Sequence, residues 1–123
     1  MPAMEVVLFA EDDGTSPLLE WLDGCTTKAQ QKCIVRIERL AEMGHELRRP
    51  EADYLRDDIH ELRASLEGIH YRMLYFFHGN KAVISHGLKK QGEVPPKEID
   101  LAIQRRERFG ANLLKPTYEG ELP

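Results

Sequence analysis

The chain has only two cysteines among its 123 residues, Cys25 and Cys33. If both lie on one helix, their spacing separates them by about 12 Å along its axis, too far for a disulfide. There is no Cys-x-x-Cys pair and no closely spaced His pair, so a zinc site is not expected. No apolar run approaches the roughly 20 residues a membrane helix needs. The first residues carry no basic segment followed by a long apolar one, so no secretory signal is expected and the cytoplasm is the expected location. Repeats, linkers and low-complexity stretches are also missing. The charge balance is not that of a strongly basic protein, since the formal net charge is −4.

The composition is that of one soluble globular domain, with 41% hydrophobic and 31% charged residues. A chain of this length buries about two-thirds of its unfolded surface, enough for a core without metal or disulfide. Charge is distributed unevenly. Residues 1–58 hold 13 acids and 7 bases, whereas residues 59–109 hold 6 acids and 9 bases. The second half can therefore present a positive patch on an otherwise acidic protein.

Pattern and punctuation place the elements. Residues 5–10 form an apolar, branched run that reads as a buried strand, closed by an acidic turn. Ser16-Pro17 is an N-cap followed by an N1 proline, opening a short helix with Leu18, Leu19, Trp21 and Leu22. A second helix, capped by Thr26 or Thr27, carries Ala29, Cys33, Ile37, Leu40 and Ala41 at helical spacing and ends at Gly44. Residues 45–58 lack periodicity and read as a loop. Three strands, near residues 59–65, 69–77 and 81–88, are joined by the short turns Glu67-Gly68 and His78-Gly79-Asn80 and form an antiparallel meander. A last helix opens at Pro95-Pro96, with Ile99, Ala102, Ile103 and Arg106 on one face, and ends near Phe109-Gly110. The expected organisation is a single domain over residues 1–110 with a tail over 111–123. The order β-α-α-β-β-β-α predicts an α+β domain whose helices pack on one face of a small, mainly antiparallel sheet.

Four segments then share a cadence: His60-Glu61-Leu62-Arg63; Tyr71-Arg72-Met73-Leu74-Tyr75; His86-Gly87-Leu88-Lys89-Lys90; and Pro95, Glu98-Ile99 and Ala102. Ordered and spaced in this way, they resemble the RelE/ParE superfamily of bacterial toxins, most closely its HigB-like, phage-derived branch. The resemblance spans roughly residues 4–109. Leu88 stands where that branch commonly has an aromatic residue. The resemblance implies a RelE-like fold and the toxin of a type II toxin–antitoxin system, inhibiting translation as a metal-independent, ribosome-dependent mRNA endonuclease. It implies a helix-turn-helix antitoxin and mRNA on the ribosome as partners, and no cofactor. A ParE-type gyrase inhibitor or a non-catalytic phage-derived interaction protein remains an alternative, because one fold carries all three.

RNA cleavage by its own 2′-hydroxyl needs a proton acceptor, stabilisation of phosphorane charge, and a proton for the leaving 5′-oxygen. Clustered Arg and Lys supply the charge stabilisation. Pairing about Glu67-Gly68 sets Arg63 near Arg72, and Lys89 and Lys90 end the next strand. Because the two lysines alternate faces, one of them points toward the site. Arg72, Arg63, Lys89, Lys90 and His86 are therefore the candidate catalytic residues, with Arg72 foremost. His70 is a further acid–base candidate, and the resemblance implies Tyr118 as a lesser one, because RelE-type enzymes use a tyrosine near the C-terminus. Tyr71 and the run 75–77 read as core. Arg105 and Arg108 are expected on the exposed face of the last helix, available to RNA or a partner.

Overall fold

The computed structural model describes residues 4–111 and residue 122. The elements are β1 (Glu5–Leu8), α1 (Pro17–Asp23), α2 (Thr27–Met43), a 3-10 turn (Gly44–Glu46), β2 (Ala52–Arg56), β3 (Ile59–Leu66), β4 (Ile69–His78), β5 (Lys81–Lys89) and α3 (Pro96–Ala111). The five strands form one sheet in the order β1-β5-β4-β3-β2. The β1–β5 pair is parallel and the other pairs are antiparallel.

Local chemistry accounts for the element ends. Ser16 Oγ accepts the Leu19 N–H at 3.2 Å and Thr26 Oγ1 accepts the Ala29 N–H at 3.2 Å, which caps α1 and α2. The β3–β4 hairpin turns through Glu67 (φ 52°) and Gly68 (φ 80°), the two positive φ values of a tight turn whose twist suits its strands. This turn fixes the register of the candidate site.

The fold class is α+β, as expected, but the helices lie on both faces of the sheet rather than on one. The α1–α2 hairpin buries Leu18, Leu22, Cys33, Ile37 and Leu40 against Leu62, Met73, Tyr75 and Ile84. On the other face α3 buries Ile99, Ala102 and Phe109 against Ile59, Leu74, Phe76 and Val83. Strand β4 is apolar on alternate residues toward both layers, which is why it reads as an unbroken run. Cys33 lies inside α2 and Cys25 just before it, both as free thiols. Burial pushes the Cys33 thiol up to about 12.

Strand β2 falls in the stretch read as a loop. It is an edge strand with only one neighbour, and a bulge between Tyr54 and Arg56 breaks its two-residue period. It pairs with β3 through the adjacent two-residue turn Asp57-Asp58, whose φ values of 51° and 64° are both positive, and the bulge leaves it no clear period in the sequence. Arg39 reinforces the approach to it, donating from Nε to Glu51 at 2.8 Å.

Gly87 sits under Trp21 of α1. A Cβ there would come 2.2 Å from the indole ring, so only glycine lets α1 lie this close to β5.

Candidate functional site

The hairpin register sets Arg63 of β3 directly opposite Arg72 of β4, Ser65 opposite His70, and Asp53 of β2 opposite Glu61. Opposed residues share a face, so these side chains belong to the α3 side of the sheet. Helix α3 packs on β4, β5 and the Ile59 end of β3, leaving space around Arg63, His70 and Arg72. The result is a cleft of about 740 Å³, lined by Arg49, Arg56, Arg63, His70 and Arg72 together with Asp53, Glu61 and the segment before α3.

The two central arginines differ. Arg72 is only 8% exposed and is bound through Nη1 to Glu61 Oε1 at 2.9 Å. Its Nε is buried with no hydrogen-bond partner among the described residues, a state that costs roughly 1–3 kcal/mol. Arg63 is half-buried, and no carboxylate of the described residues lies within 4.0 Å of its guanidinium. Its backbone is held on both sides: the Arg63 N–H donates to Glu51 O at 2.8 Å, and Arg36 Nε donates to Arg63 O at 2.8 Å. The Arg49 hydrogen bond, with a contribution from Arg63, holds the Asp53 carboxyl below the usual carboxylate range. Arg56 is spent on Asp57 and Asp100, each at 2.7 Å. Arg63 is thus the cleft arginine with no carboxylate partner among the described residues, and Arg72 is a fixed charge opposite it.

His86 lies outside the cleft, contrary to its expected place beside the arginines. A bulge in β5 pairs Leu74 with His86 but Tyr75 with Ile84, leaving Ser85 as the extra residue. His86 Nδ1 is 2.8 Å from Ser85 Oγ, and Nε2 is 2.9 Å from Glu98 Oε1 of α3. Both residues are buried, Ser85 at 0% and His86 at 7% exposure. Desolvation, and then the Arg105 charge, push the His86 pKa down, while Glu98 opposes the shift. Of this Ser–His–Glu string only Glu98 is appreciably exposed, at 25%. The string satisfies buried polar groups and ties α3 to β5.

Arg105 is not an exposed residue of α3. It bonds Ser85 O and Oγ at 3.3 Å and Glu11 at 3.2 Å, and lies 5.2 Å from the centre of the Phe9 ring. Residues 98, 102, 105 and 109 recur at four, three and four, so Arg105 shares the buried face with Ala102 and Phe109. Desolvation pushes its pKa down. Arg108 is partly exposed but bound to Glu11 and Asp12, at 3.7 and 3.1 Å.

The lysines do not join the arginines. Lys89 pairs with Tyr71, which packs on the α1–α2 side, and its Nζ lies 5.8 Å from the Tyr71 ring centre. Lys90 is exposed past the end of β5, its N–H donating to His70 O at 3.1 Å. Neither lines the cleft. Tyr71 and Tyr75 are buried on the α1–α2 side and Phe76 on the α3 side, whereas Tyr118 lies outside the described residues.

The expected cluster therefore reduces to Arg63 and Arg72. His70, the further acid–base candidate, lies two residues from Arg72 on the same face and also lines the cleft. Pairing about Glu67-Gly68 places it there, opposite Ser65. Arg49 and Arg56 had no signal, since they arrive on the unrecognised strand and its approach.

No helix of the described residues is long and apolar enough to cross a membrane. No curated protein matches the chain. The family model described as phage derived protein Gp49-like matches residues 20–107, a stretch that runs from α1 through both arginine strands and most of α3. The chain accordingly belongs to the Gp49-like family of phage-derived proteins, a RelE-like toxin family.

Proposed function

We propose that this protein is the toxin of a type II toxin–antitoxin pair, inhibiting translation by endonucleolytic cleavage of mRNA on the ribosome. The observation that carries this reading is Arg63 facing Arg72 in an open cleft that also holds His70. In the proposed reaction, the RNA 2′-oxygen attacks the adjacent phosphorus and the bond from phosphorus to the 5′-oxygen breaks. One proton leaves the 2′-hydroxyl and one reaches the 5′-oxygen. Arg63 holds the scissile phosphate through its guanidinium donors. Arg72, fixed by Glu61, adds preorganised positive charge opposite it. His70 exchanges the proton at the 2′- or 5′-oxygen. Lys89 and Lys90, exposed at the adjoining strand end, contribute to RNA backbone attraction rather than to the reacting centre. The toxin is held in check by a helix-turn-helix antitoxin.

The pairing of Arg72 with Glu61 supports a second reading, a non-catalytic interaction protein, since a neutralised arginine need not bind phosphate. The deciding test is message cleavage by purified ribosomes programmed with mRNA, using wild type and Arg63→Ala. Site-specific cleavage by the wild type, lost in the variant, supports the nuclease. Intact message with both proteins favours the second reading.

A further inference from the structure

Beyond the arginine cleft, the opposite face of the sheet carries a second pocket of about 900 Å³ at the same β2 end. Its walls are rings. His45 lies against Phe77 with centroids 3.9 Å apart, and His60 stands 5.2 Å from each of Tyr54, Tyr75 and Phe77. Tyr54 is 52% exposed and His45 is also exposed, so ring faces are open at the mouth. Desolvation pushes the His60 pKa down, keeping that wall neutral near physiological pH. Among the described residues, the Arg48 guanidinium meets only the backbone carbonyls of His45 and Leu47, so its charge is uncompensated at the rim. The Asp58 carboxylate meets no cation within 4.0 Å among the described residues.

Stacking faces, an unpaired guanidinium and an unpaired carboxylate acceptor are what a nucleotide requires: a flat base, a phosphate, and N–H groups on the base edge. The location strengthens this reading. Arg49, Asp53 and Tyr54 line both this pocket and the arginine cleft, so only the thickness of edge strand β2 separates them.

We infer that the pocket formed by His45, Tyr54, His60 and Phe77 is a nucleobase subsite. It takes a base of the same single-stranded RNA whose phosphate lies in the Arg63–Arg72 cleft, with the strand passing around β2. The inference rests on the reading of that cleft as a phosphate site. It assigns recognition to a face of the sheet that the cleavage chemistry does not use.

The probes are two short labelled oligomers: a 2′-O-methyl RNA, which lacks the nucleophile, and an abasic ribose–phosphate strand of equal length. Fluorescence anisotropy gives the affinity of the full chain for each. The wild type should prefer the base-bearing strand, and His45→Ala and Tyr54→Ala should each weaken it about tenfold, the scale of one lost stacking contact. Tyr54→Phe should retain binding. Arg63→Ala should weaken both oligomers alike. If Arg63→Ala weakens binding while His45→Ala and Tyr54→Ala leave it unchanged, the subsite is overturned and the cleft reading stands. Equal losses on the abasic strand in the ring variants would assign the pocket to phosphate, and also overturn the proposal. Failure of the wild type to bind either strand would remove the cleft reading and the subsite with it. Both ring variants alter exposed residues, and circular dichroism verifies their folding.

Discussion

Arg63 and Arg72 face each other across the β3–β4 ladder, yet among the described residues only Arg72 has a carboxylate partner, Glu61 at 2.9 Å. Two like charges set opposite one another destabilise a sheet unless something compensates them. Glu61 compensates one and leaves the other available. This asymmetry separates the effects of substituting the two arginines.

Arg63→Ala should lower RNA cleavage by about 10²–10³, the range for loss of one preorganised electrostatic contact, with little change in melting temperature. Arg72→Ala should instead destabilise by about 3–5 kcal/mol, because Glu61 is left buried and unpaired. The double variant Glu61→Leu/Arg72→Met should regain most of that stability. Denaturant titration and cleavage on the same samples check this. A fully stable Arg72→Ala would show that Glu61 does not depend on it.

His70→Ala should reduce cleavage while leaving the fold intact, since His70 is exposed in the cleft. His86→Ala should do the reverse, because it strips a buried network linking β5 to α3. Paired melting and single-turnover measurements distinguish the two. Unchanged cleavage in His70→Ala would remove it from the proton-transfer role.

His86 should resist protonation. Burial and Arg105 lower its pKa below the ordinary 6.5, and Glu98 only partly offsets them. As pH falls below 6.5, the unfolded chain takes up a proton that the folded chain refuses. Stability is therefore full above that value and declines as pH falls toward the lower folded pKa. NMR titration of the His86 ring and melting between about pH 7 and 5 report this. A ring midpoint at or above 6.5 would contradict it.

Gly87→Ala should destabilise by about 1–3 kcal/mol, as for an overpacked core, because the new Cβ collides with the Trp21 ring. Trp21 fluorescence should shift at the same time. Trp21→Leu in the same chain should recover part of the loss by making room.

Expression of the wild-type chain alone should arrest growth, and expression of Arg63→Ala should not. Growth and total translation after induction measure this. Normal growth with abundant soluble wild-type protein would count against the toxin reading.

The elements legible in the sequence are those whose information is local. Ser16-Pro17 and Thr26 announce helix starts through their own side-chain hydrogen bonds. Glu67-Gly68 announces a two-residue hairpin, and that turn alone sets Arg63 opposite Arg72. What the sequence could not determine depended on packing between distant segments. Strand β2 is an exception: it is joined to β3 by the adjacent turn Asp57-Asp58, and its bulge hid its period. The β5 bulge, not strand alternation, turns His86 into a buried link to Glu98. Arg105 is drawn inward because Glu11 and Ser85, far away in the chain, wait beneath α3. The placement of helices on both sheet faces, and hence of an open cleft at the β2 edge, follows from which apolar stripe finds which face. Periodicity states that a stripe will be buried, and only the tertiary structure decides against what.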